Sequence, residues 1–397
     1  MIIEIYGAGF ANKGAQLMLE TTVETIRSRF PDVQFAINAG VDRPPRAVRE
    51  LGVSYLWPSG TLHLGSKFWK PTFYKNLSKN LAFHLSNPAK LNTYGLISRK
   101  QVDAFIDISG YSFGDFWGSG LLQNVASLVA YYKRANKPVV FLPQMLGPFE
   151  NPSLAKLFAV VADQADLIFA REQASYEVAT AVAPNALIKR APDITIFSSK
   201  LEVAKYSPDD KRVCIVPNIR VTDSGKKPVS RSEYLDFLVA AAKQVTAAKL
   251  KPILVVHETF GGDAELANEV QRKLGELEIE IASDSDPKGL KDFIGGSRFV
   301  IGSRFHSLVA ALSQGVPVIA FGWAHKYPRL LGDFNVLDFN LKSIGDDSNI
   351  GSLIDLLIDD ATCQTLRQRI LAAKETLHLS NKDMWEEVFT TLGLQKN

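Results

Sequence analysis

The residues with the clearest chemical potential lie together in one short segment, Gly302–Ser307, which reads GSRFHS. It follows an apolar, β-branched run and precedes a helical pattern that ends at Gly315. This order predicts Ser303 as the N-cap of a helix, with Arg304 and His306 in its first turn. Backbone N–H groups, a guanidinium and an imidazole would then converge at the positive end of a helix dipole. Such a site favours a phosphate or a carboxylate.

Two further cations follow predicted strands. Lys326 emerges after the next strand, and neighbouring strand ends of a parallel sheet lie close in space, so Arg304, His306 and Lys326 are predicted to clamp one anion. The alternative for His306 is a purely structural role in the core or on the surface. Arg171 directly follows another apolar run, where its planar fork would hold a carboxylate or phosphate, or would pair with a nearby acid.

Three other strand ends are candidate ligand-binding turns. A glycine-rich turn such as the first lets backbone N–H groups approach an anion. The first strand ends in GAGFANKG, where Asn12 occupies a place that a dinucleotide fingerprint reserves for glycine. A P-loop would need Lys-Ser/Thr after Gly14, but Ala15 and Gln16 follow, so neither NAD nor ATP is predicted. The alternative role of the glycines is a tight turn that allows close packing.

The loop DISGYSFGD holds Asp107 and Asp115, which are predicted to accept hydrogen bonds from sugar hydroxyls. Asp115 is the candidate base toward an acceptor hydroxyl, and its alternative is a helix cap or turn former. PQMLGP at 143–148 predicts a third turn, which is rigid and carries the amide side chain of Gln144.

Composition excludes several classes of protein. A chain of 397 residues with 46% apolar and 22% charged residues predicts a two-domain globular protein rather than a disordered chain. The net charge of +3 and the absence of known motifs argue against nucleic acid. No HExxH, cysteine pair or acid/histidine cluster predicts a metal, and no resident cofactor is expected.

Localisation is predicted from the same features. Two lone cysteines suit a reducing compartment, and Glu4 with no preceding basic residue argues against a signal peptide, so a cytoplasmic protein is expected. Residues 305–325 lack Asp, Glu, Lys and Arg, but Gln314 and the Gly-Val-Pro break divide them into a helix and a strand rather than a membrane span.

Short β-branched runs alternate with helical patterns and predict an α/β fold: two Rossmann-like, doubly wound domains facing a cleft. Residues 1–200 would form the acceptor side and residues 201–397 the donor side, with the polar stretch Ser198–Lys211 at the boundary. The predicted strands are Ile2–Tyr6, Val33–Asn38, Ala104–Ser109, Pro138–Leu142, Leu167–Ala170, Arg212–Pro217, Pro252–His257, Ile279–Ala282, Phe299–Gly302 and Val318–Phe321.

An insertion at about 57–100 interrupts the alternation. It contains seven Lys or Arg residues and no Asp or Glu, with Trp57 and Trp69 beside a basic amphipathic pattern. One interpretation is peripheral binding to the inner face of an anionic membrane or to a lipid-linked acceptor. The other is a helical hairpin that caps the first domain.

Taken in order, these turns resemble the polysaccharide pyruvyltransferase family. The resemblance covers most of the chain outside the insertion and rests on GAGFANKGAQ, DISGYSFGD, PQMLGPF, FAREQAS and, most specifically, GSRFHSLVAALSQGVPVIAF followed by Lys326. The chain departs from the family pattern at Ala15, where an acid is usual, and at Ser109-Gly110-Tyr111, where more glycine is usual.

The resemblance implies a GT-B-like fold and transfer of pyruvate from phosphoenolpyruvate to two hydroxyls of a sugar, as a cyclic ketal in a cell-surface polysaccharide precursor. It implies Arg171, His306 and Lys326 as catalytic donor-site residues, with Ser303 and Arg304 beside them. Asn12, Asp115 and Gln144 are the expected acceptor-side residues, and the sugar would be nucleotide- or lipid-linked. The alternatives are a GT-B glycosyltransferase that uses a nucleotide sugar and a non-catalytic carbohydrate-binding protein.

Overall fold

The computed structural model describes residues 1–40, 42–57, 91, 95–198, 211–223, 229–258, 262–322, 326–345 and 349–395. The chain divides into two compact units. Unit 1 comprises Met1–Phe10, Met18–Ile194 and Ser380–Asn397, and unit 2 comprises Ala11–Leu17 and Thr195–Leu379. The start of the first helix therefore belongs to unit 2, and the end of the chain belongs to unit 1.

Unit 1 is built on a parallel sheet in which nine strands are described. Most of these strands are apolar runs buried along their length, as expected where helices cover both faces of a parallel sheet. The strands are β1 Ile2–Tyr6, β2 Gln34–Ile37, β3 Val53–Trp57, β4 Leu96–Ser98, β5 Ala104–Asp107, β6 Tyr111–Phe113, β7 Val139–Leu146, β8 Leu167–Ala170 and β9 Ile188–Arg190.

The strand order of unit 1 creates a switch point between β1 and β5. The order is β4-β3-β2-β1-β5-β7-β8-β9, with β6 beside β7, so the chain first builds outward from β1 and then crosses to β5 on its other side. Tyr6 at the end of β1 and Asp107 at the end of β5 are register partners. Ligands of doubly wound sheets bind outside the carboxyl ends of the strands at such a point.

Helices and two apolar clusters cover this sheet. Ile3 and Ile5 of β1 enter one cluster, while Ile2 and Tyr6 contact the other, because successive side chains of a strand point to opposite faces. Trp385, near the end of the chain, packs in the first cluster. This unit contains all or most of α1 Lys13–Arg29, α2 Pro45–Glu50, α3 Ser119–Arg134, α4 Pro152–Gln164 and α5 Gln173–Val182, and also the end of the last helix of the chain.

Unit 2 repeats the doubly wound plan with six described parallel strands. They are β10 Arg212–Val216, β11 Lys251–Val256, β12 Glu280–Ser283, β13 Phe299–Gly302, β14 Val318–Phe321 and β15 Asn340–Leu341. Their order is β12-β11-β10-β13-β14-β15, which places the switch point between β10 and β13. Val216 and Gly302, the last residues of these strands, are register partners.

The helices of unit 2 begin at residues suited to capping. Ser230 and Glu233 form a reciprocal capping box, and Asp286 accepts two backbone N–H groups. The helices are α6 Arg220–Asp223, α7 Arg231–Ala247, α8 Asp263–Leu274, α9 Pro287–Gly295, α10 Phe305–Leu312, α11 Lys326–Asp333, α12 Ile350–Ile358 and α13 Asp360–Thr391. The expected α/β class with two doubly wound parallel sheets is confirmed.

One expected turn is a strand. The segment at 143–148 was predicted as a turn after a strand ending at Leu142, but β7 continues to Leu146. The register against β8 shifts between Phe141 and Gln144, and this bulge accommodates Pro143, which has no N–H for a neighbouring strand. Gln144 is therefore a fully buried strand residue.

Two sequence predictions fall largely outside the described residues. These are the basic insertion at about 57–100 and the polar stretch Ser198–Lys211. Arg99 lies in the described part of the insertion and is one of its seven basic residues. Its guanidinium is buried and donates to Glu4 at 2.8 and 3.0 Å. Arg99 therefore belongs to the interior of unit 1 and not to a basic surface. None of the described helices is long and apolar enough to cross a membrane.

Candidate functional site

The GSRFHS turn lies at the switch point of unit 2, where β13 ends and α10 begins. The prediction that Ser303 is the N-cap is wrong, because Arg304 takes that place with an extended backbone and makes no side-chain cap. Ser303 still belongs to the edge of the sheet. Its N–H points to the carbonyl of Val216 at 3.4 Å, and its own carbonyl accepts from Asn218 Nδ2 at 2.6 Å and from Tyr327 Oη at 2.8 Å.

Arg304 is held by two carboxylates. Its Nε and Nη2 donate to the two oxygens of Asp263 at 2.8 and 2.6 Å, and its Nη1 lies 2.6 Å from Glu258 Oε2. Asp263 begins α8, and Glu258 follows β11 closely. Planar, bidentate pairing fixes a guanidinium firmly. Arg304 therefore braces the turn after β13 against two neighbouring elements, and most of its charge is offset.

The imidazole of His306 packs directly on the backbone of Gly14. His306 is the second residue of α10, and Gly14 is the second residue of α1 within unit 2. A Cβ at position 14 would lie 2.0 Å from His306 Nδ1 and 2.2 Å from its Cγ, which is far inside contact distance. Phe305 contacts the imidazole edge-on, with ring centroids 5.5 Å apart. The absence of a side chain at Gly14 thus makes the position of His306 possible.

Lys326 stands beside the same turn. It is the first residue of α11, and its Nζ lies 5.2 Å from the ring centroid of Phe305 and 5.5 Å from that of Tyr327. Tyr327 in turn donates to the carbonyl of Ser303. The structure therefore brings Arg304, His306 and Lys326 together at the carboxyl end of the unit 2 sheet.

Two basic residues near His306 were not found from the sequence. Lys13 is buried, and its Nζ donates to the carbonyl of Ser285 at 2.7 Å and to Gln16 at 3.3 Å. His257 follows β11 directly and is also buried. Burial lowers the pKa of His257 well below its ordinary value, and the charges of His306, Arg304 and Lys13 act in the same direction. His257 is therefore neutral at physiological pH.

Asn12, an expected acceptor-side residue, caps α1. Its Oδ1 accepts from the N–H groups of Gly14 at 2.9 Å and Ala15 at 3.4 Å. Its backbone forms an antiparallel bridge with Glu258, a partner of Arg304. Asn12 therefore holds the Gly14 turn in place within unit 2.

Arg171 lies in unit 1 and has acidic neighbours. Its Nε donates to Glu172 at 3.1 Å and its Nη1 to Asp193 at 3.0 Å, and all three side chains are buried. Glu172 also accepts from Ser175 Oγ at 2.7 Å. This arrangement corresponds to the ion pair that the sequence allowed as the alternative for Arg171.

Asp115 supports a turn in unit 1. Its two carboxylate oxygens accept the N–H groups of Glu150 at 2.6 Å and Asn151 at 3.2 Å. Asn151 in turn caps α4. Asp115 thus shows the turn-forming geometry that was the alternative to a base, and it joins the loop after β6 to the start of α4.

Asp107 and Gln144 form a buried pair at the switch point of unit 1. Asp107 Oδ1 accepts from the N–H of Ser109 at 2.8 Å and from Gln144 Nε2 at 3.4 Å. Burial raises the pKa of Asp107 from 3.8 to about 7, while the hydrogen bonds from Ser109 and Gln144 oppose the shift. Desolvation dominates because an ionised carboxylate is poorly stabilised in an apolar interior.

This raised pKa predicts a pH-dependent stability. Between about pH 4 and 7 the folded state keeps the Asp107 proton and the unfolded state loses it, so the free energy of unfolding falls as pH rises. The loss would reach at most about 4 kcal/mol over that window. Urea unfolding at about pH 5 and about pH 8 measures this change in the free energy of unfolding. Asp107→Asn should remove the part of the change that comes from Asp107. An unchanged slope in the variant would show that Asp107 ionises normally.

Comparisons with known proteins agree with this fold. The chain is 21% identical to the amylovoran biosynthesis protein AmsJ of Erwinia amylovora over 332 residues, which is 74% of each chain. Its structure is similar to that of S. aureus MnaA solved with UDP, with a TM-score of 0.62, 12% identity and coverage of 100% of this chain and 98% of that one.

A glycosyltransferase from Rickettsia africae gives a TM-score of 0.59 at 13% identity, with 98% of each chain covered. UDP-GlcNAc 2-epimerase from Neisseria meningitidis, bound to UDP-GlcNAc, gives 0.58 at 10% identity, with 97% of this chain and 99% of that one covered. At these identities the likeness shows the fold alone, which is GT-B-like.

The family model described as polysaccharide pyruvyl transferase matches residues 12–325. That span includes the Asn12–Gly14 turn, Asp107, Gln144, Arg171 and the complete GSRFHS turn. It covers well over half of the chain. The chain therefore belongs to the polysaccharide pyruvyl transferase family.

Proposed function

We propose that this protein transfers pyruvate from phosphoenolpyruvate to two hydroxyls of a sugar, forming a cyclic ketal and releasing phosphate. The family supports a transferase in polysaccharide biosynthesis, and the relative AmsJ carries such a role in its name. The sugar would belong to a precursor of a cell-surface polysaccharide.

The observation that carries the proposal is the position of His306. Its ring lies against the backbone of Gly14 and edge-on to Phe305 at the start of α10, and Lys326 lies beside Phe305. A fixed imidazole at the positive end of a helix, next to an ammonium group, suits a donor that brings negative charge and needs a proton. Phosphoenolpyruvate has a carboxylate, a phosphate and a C3 carbon that must be protonated.

The charges around the turn favour an anion. Lys13, Arg304 and Lys326 bring three positive charges, and Glu258 and Asp263 bring two negative ones, so the group carries one net positive charge before His306 is counted. Arg304 is paired with both acids, and Lys13 and Lys326 are the two further cations of the group. Positive charges that are in place before the reaction stabilise negative charge that develops in a transition state.

Each side chain receives a role in this proposal. His306 acts as general acid while an oxocarbenium-like centre develops at C2 of the donor, and Lys326 stabilises the departing phosphate. Arg304 keeps the turn in position through Asp263 and Glu258. Arg171 is paired with Glu172 and Asp193 within unit 1.

Donor choice is tested by thermal unfolding with phosphoenolpyruvate or UDP-glucose. At about 100 times its Kd, a ligand adds about 2.7 kcal/mol of stability, which corresponds to a shift of roughly 5–10 °C for a unit of this size. We expect this shift with phosphoenolpyruvate and a much smaller one with UDP-glucose. A shift with UDP-glucose alone would favour a nucleotide-sugar glycosyltransferase and contradict the proposal.

Lys326→Ala should weaken phosphoenolpyruvate binding by roughly 10- to 100-fold, because one charge-assisted contact is lost. Lys251→Ala is the matched control: Lys251 begins β11 at the opposite end of the sheet, pairs with Glu280 and is 64% exposed. Equal weakening in both variants would show that Lys326 has no special part in donor binding.

A further inference from the structure

Three aromatic side chains of unit 1 form a surface cluster that the proposed donor chemistry does not use. Phe116 and Trp117 are 37% and 41% exposed, and their rings meet edge to face with centroids 4.9 Å apart. Tyr111 contacts both, stacked on Phe116 at 6.4 Å and edge-on to Trp117 at 5.7 Å. Exposed apolar residues that are scattered singly are ordinary, but a contiguous group of them marks a binding surface.

This aromatic cluster lies at the edge of the sheet where doubly wound folds bind ligands. Tyr111 begins β6, which pairs with Met145 and Leu146 at the end of β7. Phe116 and Trp117 follow β6 in the turn that leads into α3. Ligands of such sheets bind outside the carboxyl ends of the strands, so the cluster occupies that side of unit 1.

The turn that carries Trp117 is held by hydrogen bonds and by close backbone packing. The N–H of Trp117 donates to the carbonyl of Gly114 at 3.1 Å, and the N–H of Asp115 donates to that of Pro148 at 3.0 Å. A Cβ at Gly114 would lie 2.5 Å from the carbonyl oxygen of Gly147, so glycine is needed for this contact. A ring presented on a held turn loses little conformational entropy when it binds a ligand.

The charged side chains beside the cluster are mostly acidic. Burial raises the pKa of Tyr111 to about 12, and the charges of Glu172 and Asp115 act in the same direction. Glu172 shares Arg171 with Asp193, so these four side chains bring one positive and three negative charges. Like charges disfavour association, so this surroundings suits an uncharged ligand better than a phosphate or a carboxylate.

A pyranose ring has the chemistry that this surface requires. Its faces carry C–H groups that pack on an indole ring, and its edge carries hydroxyls that donate to carboxylates. Asp115 is half-buried and accepts the N–H groups of Glu150 and Asn151, and a carboxylate has further lone pairs for hydroxyl donors. A membrane of anionic lipids would instead meet negative charge at the cluster.

We propose that Trp117 is a sugar-stacking residue, whose indole ring binds the apolar face of an uncharged hexose of the polysaccharide precursor while Tyr111 and Phe116 hold the indole in place. The identification of the ligand as a sugar rests on the proposed function. The site is formed by unit 1 alone, so sugar binding does not require the donor.

The test measures the Kd of lactose, cellobiose, maltose and methyl α-mannoside by NMR titration without donor. We expect Trp117→Ala to raise the Kd of the sugar that binds by roughly 10-fold or more, and Trp117→Phe by roughly 3-fold or less, because a smaller ring keeps the stacking contact. Trp57→Ala is the matched control. Trp57 ends β3, three strands away from β7, and is 42% exposed, so its loss should leave the Kd unchanged.

A matched pair of ligands tests the charge of the site. Methyl β-glucuronide differs from methyl β-glucoside by one carboxylate in place of a hydroxymethyl group. We expect the glucuronide to bind more weakly by roughly 3-fold or more at about 20 mM salt, and the difference to shrink at about 500 mM salt. Tighter or equal binding of the glucuronide at low salt would overturn the assignment of an uncharged sugar.

The outcomes separate this proposal from the proposed function. An unchanged sugar Kd in Trp117→Ala, or no sugar bound by the wild-type protein, overturns the proposal. Trp117-dependent binding to phosphatidylglycerol vesicles without sugar binding would also overturn it, and would assign the cluster to a membrane surface. If phosphoenolpyruvate gives no thermal shift, the donor is wrong, and sugar binding that is lost in Trp117→Ala still supports the sugar site.

Discussion

Replacing His306 with Asn is expected to reduce phosphate release from phosphoenolpyruvate by roughly 10²- to 10⁴-fold, the usual contribution of a general acid. The amide keeps a polar group at the second position of α10 but has no titratable proton for C3. Donor binding should persist, since Lys326, Lys13 and the helix start are unchanged. The measurement is phosphate release together with the thermal shift that phosphoenolpyruvate produces.

The pattern of the two readouts decides the role of His306. Retained donor binding with lost turnover supports proton transfer by the imidazole. Turnover close to that of the wild-type protein would remove His306 from the chemistry. Loss of binding together with turnover would assign His306 to the donor pocket rather than to proton transfer.

Gly14→Ala should be nearly as damaging, although the residue has no side chain and carries no charge. A Cβ at this position would lie 2.0 Å from His306 Nδ1, so the imidazole must leave its place. Alanine favours a helix over glycine by about 1 kcal/mol, so weakening of α1 cannot account for a loss. We expect kcat to fall by roughly 100-fold, because a general acid moved out of reach contributes nothing.

Gly120→Ala is the matched control for this substitution. Gly120 is the second residue of α3, as Gly14 is of α1, and no atom lies within 4 Å of a Cβ built there. The control should keep full turnover. In unfolding experiments, Gly14→Ala should lower the free energy of unfolding by about 1–3 kcal/mol less when His306 is also replaced by Ala, because the clash is then relieved. Additive effects of the two substitutions would show that the side chains do not meet.

Much of the framework could be predicted from sequence because parallel strands are short, apolar and β-branched. Ile2–Tyr6, Leu167–Ala170, Phe299–Gly302 and Val318–Phe321 have the predicted bounds. Errors arose where tertiary pairing overrides local preference. Pro143 looked like a turn, but a bulge keeps it within β7.

The candidate site was predictable only in part. The sequence pattern around His306 was recognisable by itself. Lys326 was identified because neighbouring strand ends of a parallel sheet lie close in space, and the same rule applied to β11 would have found His257. Nothing local relates Gly14 to His306, because residues so far apart in sequence meet only through the fold. The acidic partners of Arg304 were hidden for the same reason, and they change its expected role from anion binding to positioning.

Asp107 illustrates a different limit. Its place after an apolar strand was visible in the sequence, but its burial and its unsatisfied oxygen are properties of the packed sheet. Asp115, in the same loop, had the same local appearance and instead accepts two backbone N–H groups. Two carboxylates with similar sequence surroundings thus differ because one is enclosed and the other supports a turn.

The most direct test of the proposed function is mass spectrometry of glycosides incubated with the protein and phosphoenolpyruvate. We expect an acceptor whose mass increases by that of phosphoenolpyruvate minus phosphoric acid, with one phosphate released per product and far less product formed by His306→Asn. A hexose added from UDP-glucose, with no product from phosphoenolpyruvate, would contradict the proposed function.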